Sequence, residues 1–195
     1  KMNADTLSDL VLAVMCAAIA GRNWRMRPAL AQACALLGLA AGFGVLRFAG
    51  LEQAIGPHRF FSLFAACAGF PLLAAAIAWP DDPVARRAPA ATRTMLLTGA
   101  IGLTISSTGF IWWRQIVPVL SILAILRATM LDRSTNCIFG ALLMTGSLVM
   151  AAIGQASPVA LGPLTTMQWM HYLMASGLWF MSRSELLRVD GAPQT

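Results

Sequence analysis

The chain has 195 residues, of which 58% are hydrophobic and only 11% charged; its mean hydropathy is +0.70 and its formal net charge +6. A water-soluble domain carries about 25% charged residues, so this composition excludes an ordinary soluble globule and makes the bilayer the expected solvent. The basic excess lies in gaps between apolar runs, where it reads as a topology signal and not as a nucleic-acid surface.

Seven apolar runs predict an all-α, polytopic bundle of seven transmembrane helices forming a single domain. The first covers 6–20, and Asp5 and Asp9 stand where a signal peptide would carry a basic segment. Thr6 and Asp9 have the spacing of a helix-start capping box. Arg22, Arg25 and Arg27 close that run, and the second follows over 28–48, with Gly38 and Gly42 spaced for close helix packing. The third covers 59–79, and Pro71 inside it predicts a kink. Pro80-Asp81-Asp82-Pro83 ends it.

The fourth run, 94–113, and the fifth, 115–131, are divided by Trp112-Trp113-Arg114-Gln115, read as a tight interfacial turn. The sixth covers 137–155. Ser157-Pro158 and Gly162-Pro163 then bracket a short loop before the seventh, 161–181, where Pro163 suits a first helical turn. Cys16, Cys34, Cys67 and Cys137 lack the paired spacing of a zinc site and read as small core residues. Lys1 is the only lysine, which excludes a retinal Schiff base within the spans.

Alternate gaps sort by charge. Arg22, Arg25, Arg27, Arg86, Arg87, Arg93, Arg127, Arg133, Arg183 and Arg188 fall on one side; Arg47, Arg59 and Arg114 fall on the other. Positive charge stays cytoplasmic, so the N-terminus is expected outside, the C-terminus inside, and the location an integral membrane protein of a bacterial inner membrane. An odd number of spans agrees with that orientation.

Ionisable and polar side chains inside spans are costly unless partnered, and here they gather toward the expected outer face. The candidate ligand pocket comprises Asp9, Arg47, His58, Arg59, Ser107, Arg114, Gln168, His171 and Tyr172. Asp9 is expected to pair with Arg47, Arg59 or Arg114, or to serve as a structural ion pair or helix cap. In the last span Thr165, Gln168, Tyr172 and Ser176 share one arc at 100° per residue, with His171 at its edge. His171 suits a proton carrier, a ligand-binding donor or an interhelical hydrogen-bond partner. His58 and His171 are expected to differ in depth by about 10 Å, which argues against their sharing one metal ion or haem.

Ser8-Asp9-Leu10 and Met170-His171-Tyr172-Leu173 resemble the ends of a group of small bacterial seven-helix membrane proteins. With an acidic first span and a histidine in the last, the layout is also similar to the CREST superfamily of alkaline ceramidases and adiponectin-type receptors. That resemblance implies a metal-dependent amide hydrolase, its zinc held by three histidines, with a serine and an aspartate nearby. Ala175 stands where a second histidine of the last helix would fall, and two histidines cannot supply three ligands. The expected function is therefore a binding or accessory role: a lipid, quinone or small amphiphile in an outward pocket, or docking to a larger membrane complex. No cofactor and no metal site are expected. The alternative is a membrane-embedded hydrolase of lipid-like amides or esters, with Asp9, His58 and His171 as catalytic candidates and zinc only in that case; a transporter is the third.

Overall fold

The computed structural model describes residues 3–110, 112–132, 134–156 and 159–183. These residues are almost entirely helical, and five helices among them are long and apolar enough to cross a membrane. It is an integral membrane protein by that measure. Large apolar side chains face outward on the helices, among them Leu97 at 63% and Leu131 at 73% exposed, as lipid contact requires.

Helix α1 is Ala4–Asn23. Its cap is Asn3, whose side chain accepts the backbone N–H of Thr6 at 2.8 Å and its hydroxyl at 2.7 Å. The Thr6–Asp9 capping box is thus not formed, because Asn3 already satisfies the first-turn donor. Helix α2, Pro28–Phe48, starts on the preorganised φ of proline. It ends in a Schellman turn: Gly50, at φ +100°, donates to Arg47 O, and Leu51 donates to Leu46 O.

Helix α3 is Glu52–Ala78. It opens with a 3₁₀ turn over Glu52–Ala54 and carries a π segment at Ala65–Gly69. The start lies seven residues before the expected 59, so His58 and Arg59 belong to the helix body. Pro71 explains the π segment. Its ring crowds the carbonyl one turn back and removes a donor, and a locally widened register relieves both. Helix α4 is the short turn Pro83–Arg86, capped by Asp82 Oδ1 on Val84 N–H at 2.7 Å.

Helix α5 is Ala88–Ser107, six residues displaced from the expected 94–113. The break falls earlier than expected because Gly109, at φ +87°, turns the chain. Trp113, Arg114 and Gln115 consequently open helix α6, Trp113–Asp132, instead of forming the turn. Helix α7 is Thr135–Ala156. Ala160–Leu161 and Leu164–Thr165 then pair as a small antiparallel hairpin around Gly162, at φ +68°, and Pro163. Pro163 therefore sits in a hairpin turn and not in the helix. Helix α8, Thr166–Ser182, begins behind a true capping box: Thr165 caps Gln168 N–H and Gln168 caps Thr165 N–H. The Ser157-Pro158 break, Arg133 and Arg188 lie outside the described residues.

Two helices assigned to spans fall short of the five. Arg93 and several threonines and serines dilute α5, and α8 has 17 residues.

Six helices close a ring: α1 on α2, α2 on α3, α3 on α6, α6 on α7, α7 on α8, and α8 back on α1; α5 packs against α3 and α2. Glycines make the close approaches. A Cβ on Gly140 would lie 2.8 Å from the Gly177 carbonyl, and one on Gly177 would lie 2.9 Å from the Gly140 carbonyl. Gly38 meets Cys16 of α1, whereas Gly42 meets nothing within 4 Å. Gly140→Ala is therefore expected to destabilise by about 1–3 kcal/mol through overpacking, and Gly42→Ala not at all. Equal unfolding midpoints for the two variants in one detergent would contradict this packing.

Candidate functional site

Inside the ring lies a cavity of about 820 Å³, within the range of small-molecule sites. Its lining comes from the start of α1, the end of α2, the start of α3, the end of α5, the starts of α6 and α8 and the end of α7. Successive helices run in opposite directions, so these are all one end of the bundle. The walls are mainly apolar, with Leu63, Phe70, Met170 and Met174 among them.

Asp9 is the central polar group. Its side chain is 1% exposed, and neither carboxylate oxygen has a hydrogen-bond partner among the described residues. His171 Nε2 stands 3.3 Å from Asp9 Oδ1. That is ion-pair distance, but the two groups are not aligned as a hydrogen bond. The other ring nitrogen, Nδ1, is 3.1 Å from Ser8 Oγ, and Ser8 Oγ lies 2.9 Å from its own helix carbonyl at Asp5.

Proton counting constrains this cluster. A serine hydroxyl has one hydrogen. If Ser8 gives it to the Asp5 carbonyl, His171 Nδ1–H donates to Ser8, and a bare Nε2 opposes Asp9 unless a proton lies between them. If Ser8 gives it to His171, Nε2 carries its own proton toward Asp9.

Gly44 of α2 makes room for the carboxylate. A Cβ there would overlap the Asp9 side chain. His58, one helix over, gives its Nδ1–H to the Ala40 carbonyl at 3.0 Å and packs its edge toward Phe48. That tautomer leaves Nε2 as an acceptor. Arg47 lies over the Phe48 ring at 5.1 Å. Arg114 reaches Gln155 Oε1 at 3.3 Å, and Gln115 reaches the same oxygen at 2.6 Å.

Six of the nine residues expected to form the pocket line the cavity: Asp9, Arg47, His58, Arg59, Arg114 and His171. Three do not. Ser107 is exposed and gives its hydroxyl to Thr104 O, and its neighbour Ser106 lines the cavity instead. Gln168 is taken up by the capping box and donates to Asp5 Oδ1 at 2.6 Å, tying α8 to α1. Tyr172 is half-buried off the lining. His58 of α3 and His171 of α8 both line this cavity.

Asp5 and Ser8 were not expected in the pocket, nor Gly44 against Asp9. Asp5 precedes Asp9 by four residues and so shares its helix face. Thr165-x-x-Gln168 carries the capping signature openly. The Gly44 contact is long-range and leaves no local mark. The donor set does not fit a three-histidine zinc: among the described residues no group of three or more His, Cys, Asp or Glu is placed to hold a metal ion. Comparison with family models, with curated proteins and with solved structures finds no match.

Proposed function

We propose that the chain is a seven-span bundle of a bacterial inner membrane, N-terminus out and C-terminus in, that holds a lipid, quinone or other small amphiphile in its outward cavity. Helices α5 and α8 supply the two spans beyond the five that length and hydropathy identify. The orientation rests on arginines. Arg22, Arg25, Arg27, Arg86, Arg87, Arg93 and Arg127 flank the end away from the cavity, against Arg47, Arg59 and Arg114 at its mouth. A C-terminal alkaline phosphatase fusion is accordingly inactive in cells; an active fusion would reverse the assignment.

The observation that carries the binding reading is the cavity itself: room for an acyl or isoprenoid chain, apolar walls, and a few convergent polar groups at one end. Ala66 lines it. Ala66→Trp fills the space, so the variant is expected to fold and to lose the amphiphile that wild-type protein retains after mild-detergent purification, read by mass spectrometry. Equal retention by both would sink the reading. A protein partner that co-purifies instead of an amphiphile points to docking on a larger membrane complex.

One observation favours a second reading, hydrolysis of lipid-like amides or esters: Ser8, His171 and Asp9 stand in sequence around one imidazole. Binding comes first because Ser8 is wholly buried, with its hydroxyl 2.9 Å from the Asp5 carbonyl. Fatty acid released from a ceramide or ester lipid by wild type, and not by His171→Ala, would reverse that order.

A further inference from the structure

The mouth of the cavity carries three guanidinium groups from three different helices: Arg47 of α2, Arg59 of α3 and Arg114 of α6. Among the described residues none of them forms an ion pair. Arg47 lies over the face of Phe48 and within electrostatic reach of Asp9, short of an ion pair, and Arg114 meets the neutral amide of Gln155. Arg59 is exposed. The carboxylates of this end do not neutralise them. Asp5 takes the Gln168 amide, Asp9 faces His171, and Glu52 sits on an exposed turn outside the lining.

These positions are unfavourable for arginine on topological grounds. The chain concentrates its other arginines at the opposite end, and cations at the translocated end work against that bias. Three of them around one opening call for a local reason. A guanidinium presents a planar fork of donors that matches the paired oxygens of a phosphate or carboxylate. Below the rim, Leu63, Met170 and Met174 offer a chain-sized apolar space. To one side, beside His171, Asp9 offers acceptor oxygens, which disfavour an anion there.

We infer that the cavity takes an anionic amphiphile, its phosphate or carboxylate held at the rim by Arg47, Arg59 and Arg114 and its chain in the space beneath. The inference rests on the binding reading above and narrows it to a charge class. A phospholipid and a free fatty acid share this chemistry.

Three pyrene-labelled probes separate the possibilities: phosphatidylglycerol, phosphatidylcholine and a free fatty acid, each incubated with full-length protein in neutral detergent and measured after gel filtration. The expected result is retention of an anionic probe over phosphatidylcholine by about tenfold. The triple variant Arg47→Gln, Arg59→Gln, Arg114→Gln is expected to abolish that preference. Which anionic probe is retained identifies the source, lipid or fatty acid. Equal retention of phosphatidylcholine and both anions, or a preference unchanged in the triple variant, overturns the inference and leaves the binding reading intact. Retention of no probe at all overturns both. Should the triple variant fail to fold, raising the salt on wild type replaces it: the preference must weaken, and a salt-independent preference counts against the rim.

Discussion

Gly44→Ala is expected to destabilise the protein by about 1–3 kcal/mol, and Asp9→Ala in the same chain to recover most of that loss. The reason is steric and specific. The Asp9 carboxylate lies against the Cα of Gly44, and an added Cβ would overlap it. Asp9 has little room to retreat, being 1% exposed with His171 on its other side. Truncating Asp9 removes the overlapping atoms. Unfolding midpoints of wild type, both single variants and the double variant form a complete cycle. A coupling of about 0.5–3 kcal/mol is expected for groups in direct contact. Additive effects would show that α1 and α2 do not meet at this point.

Asp9→Asn separates the stability and ligand roles of the same residue. Both oxygens of Asp9 are buried without a hydrogen-bond partner, and leaving such a group unsatisfied costs about 1–3 kcal/mol, more when it is charged. The asparagine is nearly isosteric, carries no charge, and has both an N–H and a C=O to offer Nε2 of His171, whichever tautomer is present. The variant should therefore match or exceed wild-type stability. It should also retain an amphiphile bearing a hydroxyl or amide about tenfold less well, because a hydrogen bond to a charged acceptor is worth about 1.5–3 kcal/mol and that acceptor has been changed. A purely structural Asp9 predicts the reverse: lower stability with retention unchanged. Sites that bind often hold such locally unfavourable groups.

Much of the framework was legible because it rests on composition over windows of about 20 residues. The runs around α1, α2, α3, α6 and α7 are apolar enough to be read without neighbours. Asp9 and His171 were legible for the opposite reason: an ionisable group inside such a run is conspicuous. Precise ends were less so. Phe110 and Trp112 continue the hydropathy of α5, yet Gly109 ends it through a positive φ, which hydropathy does not register. The start of α8 is set by Thr165 and Gln168 and not by apolarity, which begins earlier at Leu161.

The site was harder, because a helical arc shows which residues share a face but not what the face meets. Gln168 lies on the polar arc and is consumed by its own helix start and by Asp5. Tyr172 lies on the same arc and misses the cavity. Ser107 and Ser106 differ by one residue, and a 100° rotation sends one outward and the other to the lining. The contacts of Asp9 with Gly44, and of Ser8 and Asp9 with His171, join segments far apart in the chain. Only tertiary packing brings them together.

The claim that an amphiphile's chain occupies the interior of the ring is tested most directly by a lipid carrying a photoreactive group at mid-chain. After irradiation in membranes, cross-linked peptides are sequenced. Labelling is expected at inward residues of the cavity, Leu63, Met170 and Met174, and is expected to be lost in Ala66→Trp. Labelling confined to the outward faces, at residues such as Leu97 and Leu131, would contradict it.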